Sequence, residues 1–157
     1  MELNNNLIDN AFQINEVGYT WEAPVNWVCA GSSSASFKND FYEVYTSNTQ
    51  SNAVIKKPGT YLLYGKSRFV STSGQSGSGC TGFWNTEKGQ CLNNGKAMAY
   101  TYVYSTIPSD ANLTTILKLT ESETPFNVQY VIGKAGNGAT IYDVGAAGFW
   151  GCIRIGD

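Results

Sequence analysis

With 157 residues, no histidine and a formal net charge of −2, the chain excludes several chemistries at once. Neither a Ser-His-Asp nor a Cys-His relay can be assembled, nor a histidine-ligated zinc or iron centre, and without clustered Lys and Arg there is no electrostatic footprint for nucleic acid. Charged residues make up 14% of the chain, against about 25% in ordinary globular proteins, while Gly, Ser, Thr, Asn and Tyr abound, which is the texture of an all-β protein with polar loops.

The length suits one domain able to bury a core without metal or disulfide help. No apolar window is long enough for a membrane span, so no membrane insertion is expected, and the N-terminus lacks the basic-then-apolar layout of a secretory leader.

In chain order, residues 1–11 are Asn-rich and weakly patterned and read as an N-terminal arm. Alternation begins at Phe12 and Ile14. A short apolar run over 25–29 follows Pro24 and ends at Gly31 and the serines 32–34, a loop signal. Residues 41–45 are rich in β-formers, bounded by Asn39-Asp40 and Ser47-Asn48, with 53–56 as the expected neighbour. Pro58-Gly59 marks a turn into 60–70, the longest strand-like stretch in the chain.

Residues 71–96 break the rhythm with Gly and Ser and read as a long loop, a place where function concentrates. Regularity returns over 98–104, where Tyr100, Tyr102 and Tyr104 share a face, and continues through 113–119 and 126–132. After the turn at 133–138, a short strand over 139–144 precedes the terminal run. There Phe149, Gly151, Ile153 and Ile155 fall on one face and Trp150, Cys152 and Arg154 on the other. Eight to ten strands at even spacing, with no sustained helical period, predict a sandwich or barrel.

Catalytic residues are not expected. Gly65-Lys66-Ser67 has the tail of a phosphate loop, but that motif requires glycine where this chain has Thr60. The carboxylate pairs Asp40 with Glu43 and Glu121 with Glu123, together with Asp143, read as solvated loop charges rather than a glycosidase pair. Asn137 and Asp143 lack the spaced ladder of a calcium loop, so neither metal nor cofactor is expected. Of the four cysteines, Cys80 and Cys91 bracket a glycine-containing loop and are the pair expected to bridge in an oxidising compartment; in a reducing cytoplasm all remain thiols. Cys152, within an apolar strand, reads as a buried thiol. Phe83, Trp84 and Asn85, flanked by small polar residues, are the candidate ligand- or receptor-binding tip, because exposed aromatics stack on sugar faces or fill protein pockets.

The stretch Lys57-Pro58-Gly59-Thr60-Tyr61-Leu62-Leu63-Tyr64 resembles a signature strand of the complement globular-head and tumour-necrosis-factor jelly-roll superfamily. Leu117-Lys118-Leu119, a polar turn, residues 126–132, Gly148-Phe149 and a closing apolar strand with Asp157 resemble its last three strands in sequence. The likeness spans the chain from about Phe37 onward, departing at Ala146 and Ala147 and in the Cys80 to Cys91 insertion. It implies a jelly-roll β-sandwich over 12–157 that assembles as a homotrimer about a three-fold axis, with a flat apolar sheet face against its neighbours, and that binds rather than catalyses.

The strands carry a physical sign of the same kind. Tyr61 and Leu63 alternate with Leu62 and Tyr64, and Phe149 and Ile153 with Trp150 and Cys152, so both faces bear large apolar groups and the second needs a cover. Tyr61, Leu63, Tyr102, Phe149 and Trp150 are the expected trimer-interface residues. The setting expected by analogy is a virion assembled in the host cytoplasm, as a phage head fibre, capsid decoration or fibre tip. There the arm would dock on a capsid or tail protein and the domain would meet a host surface glycan or protein. The alternative is an extracellular complement-like or lectin-like binding domain.

Overall fold

Alternating side chains and Gly- and Pro-marked turns produce thirteen strands in the computed structural model, which describes residues 11–15, 27–29, 35–47, 50–71, 76–104, 106–135, 141–143 and 148–157. These are β1 (Ala11–Asn15), β2 (Trp27–Cys29), β3 (Ala35–Lys38), β4 (Tyr42–Ser47), β5 (Gln50–Ile55), β6 (Gly59–Ser71), β7 (Gly77–Asn85), β8 (Gln90–Cys91), β9 (Met98–Val103), β10 (Ser109–Leu119), β11 (Phe126–Ala135), β12 (Ile141–Asp143) and β13 (Phe149–Gly156). No helix among the described residues is long and apolar enough to cross a membrane. Apart from Ala11, which opens β1, the expected arm lies outside the described residues, as do the serines 32–34.

The strands form two antiparallel sheets. The first runs β1-β13-β6-β10, with β12 on the same edge of β6 as β13; the second runs β3-β4-β5-β11-β7-β8, with β2 also on β11 and β9 also on β7. Long-range pairing therefore dominates, and the C-terminal strand lies between the first strand and the longest one. A chain end held by two neighbours is tied down as its apolar content requires.

Between the sheets, Tyr42, Tyr61, Leu63, Phe69, Phe83, Tyr130, Ile132 and Trp150 are fully buried. Trp150 is the hub. Its ring meets Phe12 edge-on at 5.0 Å, stacks on Tyr130 at 6.0 Å and touches Phe83 at 6.1 Å, and its indole N–H donates to the Ser51 hydroxyl. Such aromatic pairs add about 0.5–1.5 kcal/mol each beyond the area they bury. Polar groups inside are matched in the same way. Ser67 and Tyr130 share a hydroxyl hydrogen bond of 2.8 Å, and the Thr81 hydroxyl donates to the Val131 carbonyl at 3.2 Å.

Two expectations from the sequence are corrected here. The stretch 71–96, expected to be a long loop, contains β7, a two-sided strand between β11 and the β8 and β9 pair, followed by a tight hairpin. Tyr61, Leu63 and Trp150, expected at a trimer interface, point into the sandwich of a single copy, because the second sheet lies on that side of β6 and β13. Gly65-Lys66-Ser67 lies in the middle of β6 and forms no phosphate loop.

Candidate interaction surface

The side chains on the far side of β6 and β13 form an open face. Strand register arranges them in rows that cross the whole first sheet. One row is Ala11, Ile153, Leu62 and Ile116, apolar from edge to edge. The next is Gln13, Gly151, Tyr64 and Thr114, and beyond it come Asn15, Phe149, Lys66 and Asn112, then Arg68 opposite Asp110. Hydrophobicity therefore falls from the isoleucine row toward Arg68 and Asp110, while on the other side of that row Thr60 pairs with Lys118 and Gly156.

Tyr64 lies across the middle of this face because Gly151 leaves room for it. A β-carbon at Gly151 would collide with the Tyr64 hydroxyl and with the Phe12 carbonyl of β1. The Tyr64 hydroxyl donates to Gln13 Oε1 at 3.1 Å, and its ring lies 6.3 Å from that of Phe149. At the polar end Arg68 holds Asp110 in a two-pronged hydrogen bond of 2.7 and 3.1 Å, with Lys66 Nζ at 3.1 Å. The Arg68 hydrogen bond, aided by Lys66, keeps the Asp110 carboxyl below its ordinary range. Those charges are mutually satisfied. The apolar row is not: Ile116 is 57% exposed, and Ile155, further along β13, is 52% exposed.

A second apolar surface lies on the sandwich edge. Tyr100 and Tyr102 point outward from β9, and Tyr104 and Ile107 follow in the connection to β10, each more than half exposed. Exposed apolar side chains gathered along one edge strand differ from the singly scattered ones found on any protein.

Of the residues expected to bind or to assemble, Phe149 and Tyr102 lie on these surfaces. Phe83 is in the core, packed on Tyr130 and Trp150. Trp84 is half-buried on the outer face of the second sheet, opposite Gln129 and Cys91, and Asn85 is buried at the end of β7. Phe83 and Trp84 therefore form no tip. Leu62, Tyr64, Ile116 and Ile153 are surface residues that alternation alone does not reveal, although Lys66 and Arg68 share the parity of Leu62 and Tyr64 on β6 and mark the outward face.

Glu43, Glu121 and Glu123, read from the sequence as solvated loop charges, are tied to local partners or lie exposed on a turn. Glu43 is held by Lys38 at 2.7 Å and by the Tyr45 hydroxyl; Glu121 and Glu123 sit on a 3-10 turn, where Glu123 takes the Thr120 N–H. Asn137 lies outside the described residues.

Cys80, Cys91 and Cys152 are buried, each with a free thiol. Burial pushes Cys80 and Cys152 up to about 12 and Cys91 up to about 11. A thiol is attacked through its thiolate. Iodoacetamide at about pH 8, below the ordinary thiol value of ~8.5, should therefore leave these three unmodified in the native protein and alkylate them in urea. Peptide mass mapping reads the result, and rapid native alkylation of Cys80 would contradict its burial.

No family model matches the chain, and no curated protein matches it. Solved structures do. Murine APRIL at pH 8.0 superposes with a TM-score of 0.56 at 13% identity, covering 92% of this chain and 98% of that one. The fold is a tumour-necrosis-factor-like jelly roll. Murine APRIL at pH 5.0 gives a TM-score of 0.53 at 13% identity over the same shares. Eiger TNF from S. frugiperda aligns at 13% identity over 90% of this chain and 92% of its own, with a TM-score of 0.48. At such identities the likeness speaks for this jelly-roll architecture alone.

Proposed function

We propose that the protein is a non-enzymatic, homotrimeric binding module serving as a structural or adhesive component of a virion, as a phage head fibre, capsid decoration or fibre tip. The observation that carries the reading is the apolar row Ala11, Ile153, Leu62 and Ile116 on the open sheet. A sandwich that already has a closed core gains nothing from a second apolar face unless another surface covers it. The tyrosine-rich edge of β9 supplies a different surface of matching character. Contact between two unlike patches is heterologous, and heterologous contacts close into rings when the rotation allows. A three-membered ring in which the edge of one copy covers the open face of the next uses both surfaces.

The virion setting is supported by chemistry and not by the likeness to solved structures. Cys80, Cys91 and Cys152, buried as thiols, are compatible with assembly in a reducing cytoplasm, where bridges do not persist. The Asn-rich segment before β1 would dock the trimer on a capsid or tail protein, leaving the domain to meet a surface glycan or protein.

Light scattering on the purified chain, with and without reductant, tests the assembly. The expected mass is three times the 17.0 kDa of one chain under both conditions. A single-chain mass at micromolar concentration would sink the reading.

A further inference from the structure

We propose that the cleft at the hairpin end of the sandwich is a binding site for one neutral sugar residue. The cleft, of about 260 Å³, lies between the β7–β8 hairpin, the turn at Leu92–Gly95, the end of β10 and the start of β11. That is near the lower end of the ~300–1,000 Å³ of sites for drug-sized ligands, and the cleft opens to solvent, so it has room for a single sugar ring.

Asn85 is the element that points to a ligand. It is only 5% exposed and lines the cleft. Its Oδ1 accepts the backbone N–H groups of Glu87 at 2.9 Å and Lys88 at 3.1 Å. Two backbone donors on one amide atom settle that this atom is the oxygen. The Nδ2 group has no acceptor among the described residues and stays open to solvent in a residue that lines the cleft. An incoming hydroxyl can take up this open donor in place of water.

The remaining walls fit the same chemistry. Leu117 and Leu119 give an apolar floor, and Phe126 adds a half-buried ring that can face the C–H side of a pyranose. Lys88 and Glu123 stand on the rim with opposite charges. The Glu123 carboxyl is held below its ordinary range, chiefly by the Thr120 hydroxyl and N–H, so it stays an acceptor. Opposite charges on one rim give no net preference for an anion or a cation, which is compatible with a neutral ligand bearing hydroxyls.

Asn93 completes the rim. Its backbone and that of Asn94 are left-handed, with φ of 55° and 56°, a conformation Asn tolerates better than most residues. Its Nδ2 donates to the Thr115 hydroxyl at 2.7 Å, which leaves its oxygen as a second acceptor.

The site is built by one copy and deepens the reading of the chain as a binding module. A chain that proves monomeric yet binds glycosides would fail the assembly proposal and leave this one standing. The test is saturation-transfer NMR on the intact protein with methyl glycosides of glucose, galactose, mannose, fucose, N-acetylglucosamine and N-acetylgalactosamine, each at millimolar concentration. Free glycine and inorganic phosphate serve as charged comparisons. At least one glycoside should bind and neither charged probe should. Asn85→Asp keeps the acceptor that holds the hairpin while removing the Nδ2 donor, and should weaken binding at least about tenfold with the melting temperature little changed. Asn93→Gly tolerates the left-handed backbone and removes the rim acceptor, so it should weaken binding in the same assay even if the Asp variant folds poorly. Binding of no glycoside, binding of the charged probes in their place, or binding unmoved by Asn93→Gly would overturn the proposal.

Discussion

Trp150→Ala is expected to destabilise the domain by about 3–5 kcal/mol, the range for removing a large buried aromatic. Domains of ordinary stability have about 5–15 kcal/mol in total, so the variant loses much of its margin. Three things go together. The ring contacts with Phe12, Tyr130 and Phe83 disappear, Ser51 loses the indole donor, and the void lies between β13 and the second sheet, where neither sheet can close without breaking its ladder. Urea denaturation followed by circular dichroism measures the loss. Trp150→Phe retains most of the volume and should cost clearly less. If alanine cost under about 1 kcal/mol, as surface substitutions do, the C-terminal strand could not be a wall of the core.

The same strand shows what alternation in a sequence can and cannot decide. It separates Trp150 and Cys152 from Phe149, Gly151 and Ile153, and the two groups do lie on opposite sides of β13. Period alone does not say which side faces inward, because each carries large apolar groups. Tyr61 and Leu63 are expected outward on that ambiguity, and they are fully buried. Lys66 and Arg68 on β6 hold the answer, since charges that pair with Asp110 across the sheet belong on the solvent side. On β13 the corresponding clue misleads. Arg154 shares the parity of Trp150 yet sits at the open end of the sandwich, where it donates to the Pro58 carbonyl at 3.1 Å and lies 5.6 Å from the Phe41 ring.

β7 is illegible in the sequence for a different reason. Its inward positions are Gly79, Thr81, Phe83 and Asn85, a mixture with no hydrophobic rhythm. Gly79 is small because the Phe69 ring of the facing sheet fills its place, and Thr81 belongs to the buried hydroxyl chain with Ser67 and Tyr130. The partner sheet supplies the hydrophobic volume that period-based reading seeks in the strand itself. The cleft is hidden likewise. Asn85 stands out in the sequence together with Phe83 and Trp84, but only the three-dimensional turn at 87–88 separates its occupied oxygen from its open nitrogen.

Ile116→Asp separates assembly from folding. Ile116 sits on β10 at the end of the apolar row, 57% exposed and outside the core, so a carboxylate there remains hydrated in a lone copy. In a trimer covered on that face, the same carboxylate would be buried against apolar neighbours, where an unpaired charge costs several kcal/mol. Three-fold symmetry applies that cost at every contact in the ring. The expected result is a fall from the trimer mass to the single-chain mass, with an unchanged circular dichroism spectrum. Tyr45→Ser, on the outer face of the second sheet, should leave the mass as it was. A trimer that survives Ile116→Asp would remove the open face from the interface. The β9 edge, with Tyr102, Tyr104 and Ile107, would then have to meet some other surface of the next copy, because a closed three-membered ring needs a heterologous contact.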